Sequence, residues 1–158
     1  MDKPLNEARS KEIAQKIKSK ARTPFDNAHK AALITPDAKY VQGFLATVGK
    51  SGQPIEHSWL ELPDCIIDPT LPHLEREPKD LFYFPAQRIS VKQLKAALEE
   101  AKEDYPEDDP LPIYGSTPYE YYGDVMLGGK EYQEAYQAAV VKCQEINPTN
   151  SQNGGKAR

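Results

Sequence analysis

Long apolar runs are missing from this 158-residue chain: none approaches the roughly 20 residues that a bilayer-spanning helix requires. The N-terminus also lacks the apolar core of a signal peptide, so a cytoplasmic protein with no membrane partner is expected. Cysteine is scarce. The two present, Cys65 and Cys143, both sit in apolar patterns, which suits reduced buried thiols better than a disulfide or a metal cluster. His29, His57 and His73 are not spaced as metal ligands, and no Gly-rich phosphate loop, internal repeat or glycosidase-like carboxylate pair occurs. No metal or cofactor is therefore expected. Gly128-Gly129 reads as a turn before a final helix. Basic blocks are absent too, and with a net charge of −4 this argues against general nucleic-acid binding.

What is present centres on Gln53 to Leu71, QPIEHSWLELPDCIIDPTL. From Glu56 to Leu62 the residues fall into two alternating sets, His57, Trp59 and Glu61 on one strand face and Ser58, Leu60 and Leu62 on the other. Pro63-Asp64 supplies turn chemistry. A hairpin closed there sets Leu62 opposite Cys65, Glu61 opposite Ile66, Leu60 opposite Ile67 and Trp59 opposite Asp68. His57 and Asp68 then share a face as diagonal neighbours, while Cys65 points into the apolar set. A slip of one residue would reverse the faces. Two surface polar residues are the plainer account of such a pair, and a catalytic dyad the sharper one.

Taken in order, the chain begins with an expected surface helix over Asn6 to Lys20, with a thin stripe at Ile13 and Ile17. Its basic run, Lys16, Lys18, Lys20 and Arg22, reads as a solvated face or as an attraction for an acidic partner. Thr23-Pro24-Phe25-Asp26 has the form of a helix start: Thr23 as cap, Pro24 in the first position, Asp26 at the positive end of the dipole. Phe25, Ala28, Ala32 and Leu33 are its expected buried face, and Pro36-Asp37 its stop. Tyr40 to Val48 reads as an apolar strand in which Gly43 permits a bulge or a close backbone approach.

Beyond the hairpin, Pro72 to Pro78 reads as a loop and Leu81 to Phe84 as a short aromatic strand. Ser90-Val91-Lys92-Gln93 forms a capping box, opening a helix to about Asp104. Tyr105 to Gly123 is rich in proline, acid and tyrosine, and is expected to be a loop without regular structure. Tyr114, Tyr119, Tyr121 and Tyr122 there, with Trp59 from the hairpin, are candidate contacts for a protein or peptide partner. A last helix, Glu131 to Glu145, would bury Tyr132, Ala135, Tyr136, Ala139, Val140 and Cys143. The organisation expected is one globular domain over residues 1–146 and a disordered tail over 147–158.

The order helix, apolar strand, His-bearing strand, Asp-bearing strand resembles the transglutaminase-like and papain-like cysteine hydrolase superfamily, and within it uncharacterised bacterial and phage proteins. The residues that carry the resemblance are Pro24-Phe25-Asp26-Asn27-Ala28, Tyr40-Val41-Gln42-Gly43-Phe44, Glu56-His57-Ser58-Trp59 and Asp68-Pro69-Thr70. It spans about Thr23 to Leu71, less than half the chain. It implies an α+β fold, a small antiparallel sheet packed against several helices, with His57 as base and Asp68 as its orienting partner. The family's nucleophilic cysteine falls on Pro24, which has no reacting atom. Two readings follow: a catalytically degenerate, protein-binding relative, or a hydrolase or acyltransferase that pairs His57 and Asp68 with Thr23 or Cys65. The oligomeric state is left open.

Overall fold

The computed structural model describes residues 3–49, 53–107, 111, 119–122 and 125–147, with backbone alone over 119–122 and 125–129. The chain forms α1 (Glu7–Ile17), α2 (Pro24–Leu33), β1 (Lys39–Thr47), β2 (Ile55–Glu61), β3 (Ile66–Ile67), β4 (Leu81–Ser90), α3 (Val91–Asp104), β5 (Tyr119–Tyr122), β6 (Val125–Gly128) and α4 (Gly129–Ile146). Two 3₁₀ turns, Leu71–His73 and Pro78–Asp80, fill the span between β3 and β4, where a plain loop was expected. The class is α+β: a four-stranded antiparallel sheet in the order β3-β2-β1-β4 with four helices.

Alternation sorts the sheet into two faces. On one, Tyr40, Leu60, Cys65 and Ile67 join Ala28, Ala31 and Ala32 of α2 and Leu94 and Leu98 of α3 in the main core. Further along the same face Phe44 packs on Tyr132, Ala135 and Ala139 of α4. The opposite face carries Val41, Trp59 and Ile66, backed by Leu5 and Tyr83. The small side chains of α2 let its backbone approach β2, and this rotates the helix from the expected arrangement. Asn27 and Ala31 are buried in place of Phe25, which is half-buried, and Leu33, which is 45% exposed.

The N-terminus is more deeply engaged than a surface helix would be. Asn6 caps α1 by accepting from the Arg9 N–H, and Ser10, Ile13 and Ala14 are buried. Ahead of the helix, Leu5 bridges Ile66 in parallel, with Asn6 N donating to Ile66 O at 2.9 Å and Ile66 N to Pro4 O at 2.8 Å. The segment thus covers the open edge of β3.

In the middle of the sheet, the register between β1 and β4 shifts at Gln42/Gly43. A Cβ on Gly43 would lie 2.2 Å from Phe84 O, so glycine is required there by close approach. The strand begun at Leu81 continues to Ser90, well past Phe84. Pro85 is accommodated because β4 is the edge strand, where no ladder partner needs its N–H. Ser90 and Gln93 form the capping box, and α3 ends at Asp104.

Part of the expected tyrosine-rich loop is a strand. Tyr119–Tyr122 pairs with Val125–Gly128 in antiparallel fashion, in keeping with the preference of aromatic residues for extended backbone. The expected turn at Gly128-Gly129 is absent: Gly128 ends β6 and Gly129 opens α4. The tail beyond residue 147 and Tyr114 lie outside the described residues.

Candidate functional site

The turn at Pro63-Asp64 closes the hairpin in the expected register. Leu60 pairs with Ile67 and Glu61 with Ile66, and Leu62 N donates to Cys65 O at 2.8 Å. One face of the sheet therefore receives His57, Trp59, Ile66 and Asp68. His57 Nε2–H donates to Asp68 Oδ2 at 2.8 Å, with side chains only 1% and 0% exposed.

Asp68 is held from every side. Tyr83 Oη–H donates to the same Oδ2 at 2.7 Å, and the Thr70 N–H donates to Oδ1 at 2.9 Å. Its own N–H donates to Ser10 Oγ at 2.9 Å, and that hydroxyl in turn donates to Asn6 O at 2.7 Å. A carboxylate at this depth is tolerable only because hydrogen bonds replace the lost water. Tyr83 is half-buried, with its hydroxyl set against Asp68. That burial, reinforced by the Asp68 charge, pushes the phenol well above the usual tyrosine value. Around the pair, Trp59 stacks on His57 with centroids 6.1 Å apart, and Tyr83 stands edge-on to Trp59 at 5.0 Å.

The first turn of α2 is tied to this cluster through residues to which sequence reasoning gave no role. Asn27, 1% exposed, donates from Nδ2 to Thr70 Oγ1 at 2.9 Å and to Lys20 O at 2.8 Å. A hydrogen-bonded path thus runs from Asn27 through Thr70 to Asp68 and His57. Both Asn27 and Thr70 stand in the motifs that carry the family resemblance, but only the fold joins them. Tyr83 and Ser10 lie outside any motif and carry no such signal.

No hydrogen bond joins Thr23, Cys65 or Cys143 to His57 among the described residues. Thr23 occupies the cap position without a side-chain cap bond, which corrects the role expected for it. Its hydroxyl donates instead to Lys20 O at 3.1 Å and approaches Asn27 Oδ1 at 3.3 Å. Cys65 lies on the opposite face of the sheet, among Leu60, Leu62 and Ile67. Burial and then the neighbouring Asp64 carboxylate raise its thiol pKa, and burial raises that of Cys143, so both disfavour the reactive thiolate. Pro24 is the first residue of α2.

Trp59 is fully buried and offers no area to a partner, a correction to its expected role. Its Nε1 is the one buried side-chain polar atom without a hydrogen-bond partner among the described residues. Tyr119, Tyr121 and Tyr122 lie on β5. No group of three or more His, Cys, Asp or Glu side chains among the described residues could hold a metal ion. No described helix is long and apolar enough to cross a membrane.

Comparisons with protein-family models, curated proteins and solved structures return no match. The class is therefore the one its own geometry defines: an α+β protein with a buried His–Asp–Tyr cluster, tied by Asn27 and Thr70 to the first turn of a helix.

Proposed function

We propose that this chain is a non-catalytic, protein-binding member of the papain-like and transglutaminase-like hydrolases, in which the catalytic pair has become a structural contact. The observation that carries the reading is the closure of Asp68. Its carboxylate is already engaged by His57, Tyr83 and the Thr70 N–H, and both partners of the pair are sealed from solvent. A working base must reach the proton it abstracts on a nucleophile or water. Here the hydroxyl of Thr23 is bonded elsewhere, Cys65 is on the other face, and Pro24 stands at the helix start.

Thiol- and hydroxyl-directed activity probes on the wild type and on His57→Ala test this. The expected result is no labelling that depends on His57, together with a loss of stability of about 3 kcal/mol in the variant, because a buried carboxylate loses a charge-assisted partner. Stoichiometric labelling abolished by His57→Ala would instead establish a working hydrolase or acyltransferase.

A further inference from the structure

The segment before α2 differs in charge from the rest of the molecule. Residues 3–22 hold seven Lys and Arg against two Glu, while the whole chain stands at −4. Where α1 meets the first 3₁₀ turn, the surface opens into a depression of about 700 Å³ with Ala8, Ala14 and Pro72 in its lining. Lys11, Lys18 and His73 line it as well, with Glu12 the one carboxylate among the lining residues. The depression is built into the fold. Lys18 takes a left-handed conformation (φ 56°), capping α1 and turning the chain. Ser19 then meets His73, whose Nε2 lies 3.0 Å from Ser19 O and 3.1 Å from Ser19 Oγ.

Of the two lysines in the lining, Lys18 has no carboxylate partner among the described residues. Lys11 pairs with Glu7 at 2.9 Å in an exposed contact of small value, and no described carboxylate pairs with Lys16, Lys18, Lys20 or Arg22. Ala8, Ala14 and Pro72 beside two lysines and a single carboxylate favour an occupant that is acidic and partly apolar.

We infer that this depression binds an acidic peptide segment of a partner protein, with Asp and Glu side chains on the lysine rim and an apolar side chain on the Ala8–Ala14–Pro72 floor. A nucleic acid fits less well. The lining has no Phe, Tyr or Trp on which bases could stack, and the acidic remainder of the chain repels a long polyanion. The inference stands apart from the reading of His57 and Asp68, since it uses none of their atoms.

The test is fluorescence anisotropy of the full chain with a labelled ten-residue peptide rich in Asp and Glu and carrying two leucines. Saturable binding is expected, weaker in high salt and reduced about tenfold by Lys11→Glu with Lys18→Glu, because reversing rim charges removes the electrostatic complement. Replacing the peptide's leucines by serine should also weaken it. Lys95→Glu with Lys102→Glu, on α3, should leave it unchanged. Circular dichroism on each variant separates lost binding from lost folding, and the salt and leucine effects are read on the wild type alone. Absence of saturable binding, equal affinity of the Lys11/Lys18 variant, or tighter binding of a single-stranded oligonucleotide of equal charge would overturn the proposal.

Discussion

Oδ2 of Asp68 accepts from both His57 and Tyr83, and this double engagement makes Tyr83 a measurable reporter of the cluster. Tyr83→Phe removes one hydrogen bond to a charged group, worth roughly 1.5–3 kcal/mol at neutral pH. The effect should depend on pH. In the fold the phenol is held above its unfolded value near 10, so its contribution is intact below that pH, where both states keep the proton. Above it the unfolded chain loses the proton first, and stability falls as pH rises. The difference between wild type and Tyr83→Phe, measured as denaturant midpoints at pH 7, 9 and 10.5, should therefore shrink at the highest pH. A constant difference would mean that the hydroxyl titrates as if exposed.

Between β1 and β4 the limiting contact is backbone on backbone. A Cβ at Gly43 would meet Phe84 O at 2.2 Å and Pro85 Cα at 2.9 Å, and neither atom belongs to a side chain that can swing away. Gly43→Ala should cost on the order of 2–4 kcal/mol, as overpacking against a rigid neighbour does. Thermal or denaturant unfolding measures it, and a cost below about 0.5 kcal/mol, the usual scatter of a surface change, would show that β4 yields freely. Gly43 also illustrates what could be read ahead of the structure. Alternation and turn chemistry sufficed for the hairpin register, the capping box for the start of α3, and the spacing of Tyr132, Ala135, Ala139 and Cys143 for the buried face of α4. The length of β4 did not follow from local pattern, because Pro85 reads as a stop until β4 is known to be the edge strand. Nor did the partners of Asp68, since Ser10 and Tyr83 come from 58 and 15 residues away and only the tertiary fold brings them together.

Across the whole molecule, the N-terminal segment covers the short β3 edge of the sheet. Three attachments hold it: the backbone bonds of Pro4 and Asn6 to Ile66 on β3, the Ser10 hydroxyl on the Asp68 N–H just beyond that strand, and Ile13 packed into the main core. Removing residues 1–18 would uncover Ile66 and leave the Asp68 N–H, behind the candidate site, without its partner. Burial of Ile13 contributes roughly 2–3 kcal/mol and the severed hydrogen bonds about 1 kcal/mol each. The loss should therefore be on the order of 5 kcal/mol, comparable with the whole stability of an ordinary domain. Urea titration of the shortened chain should find it largely unfolded in buffer, or with its midpoint far below that of the full chain. Ser10→Ala, which orphans only the Asp68 N–H, should cost about 1–3 kcal/mol and leave the chain folded. An unchanged midpoint in the shortened chain would reduce α1 to an ornament on the surface. The acidic-peptide depression would then be a feature of a detachable arm, whereas the bonds to Ile66 and Asp68 make it part of the same cooperative structure that holds His57.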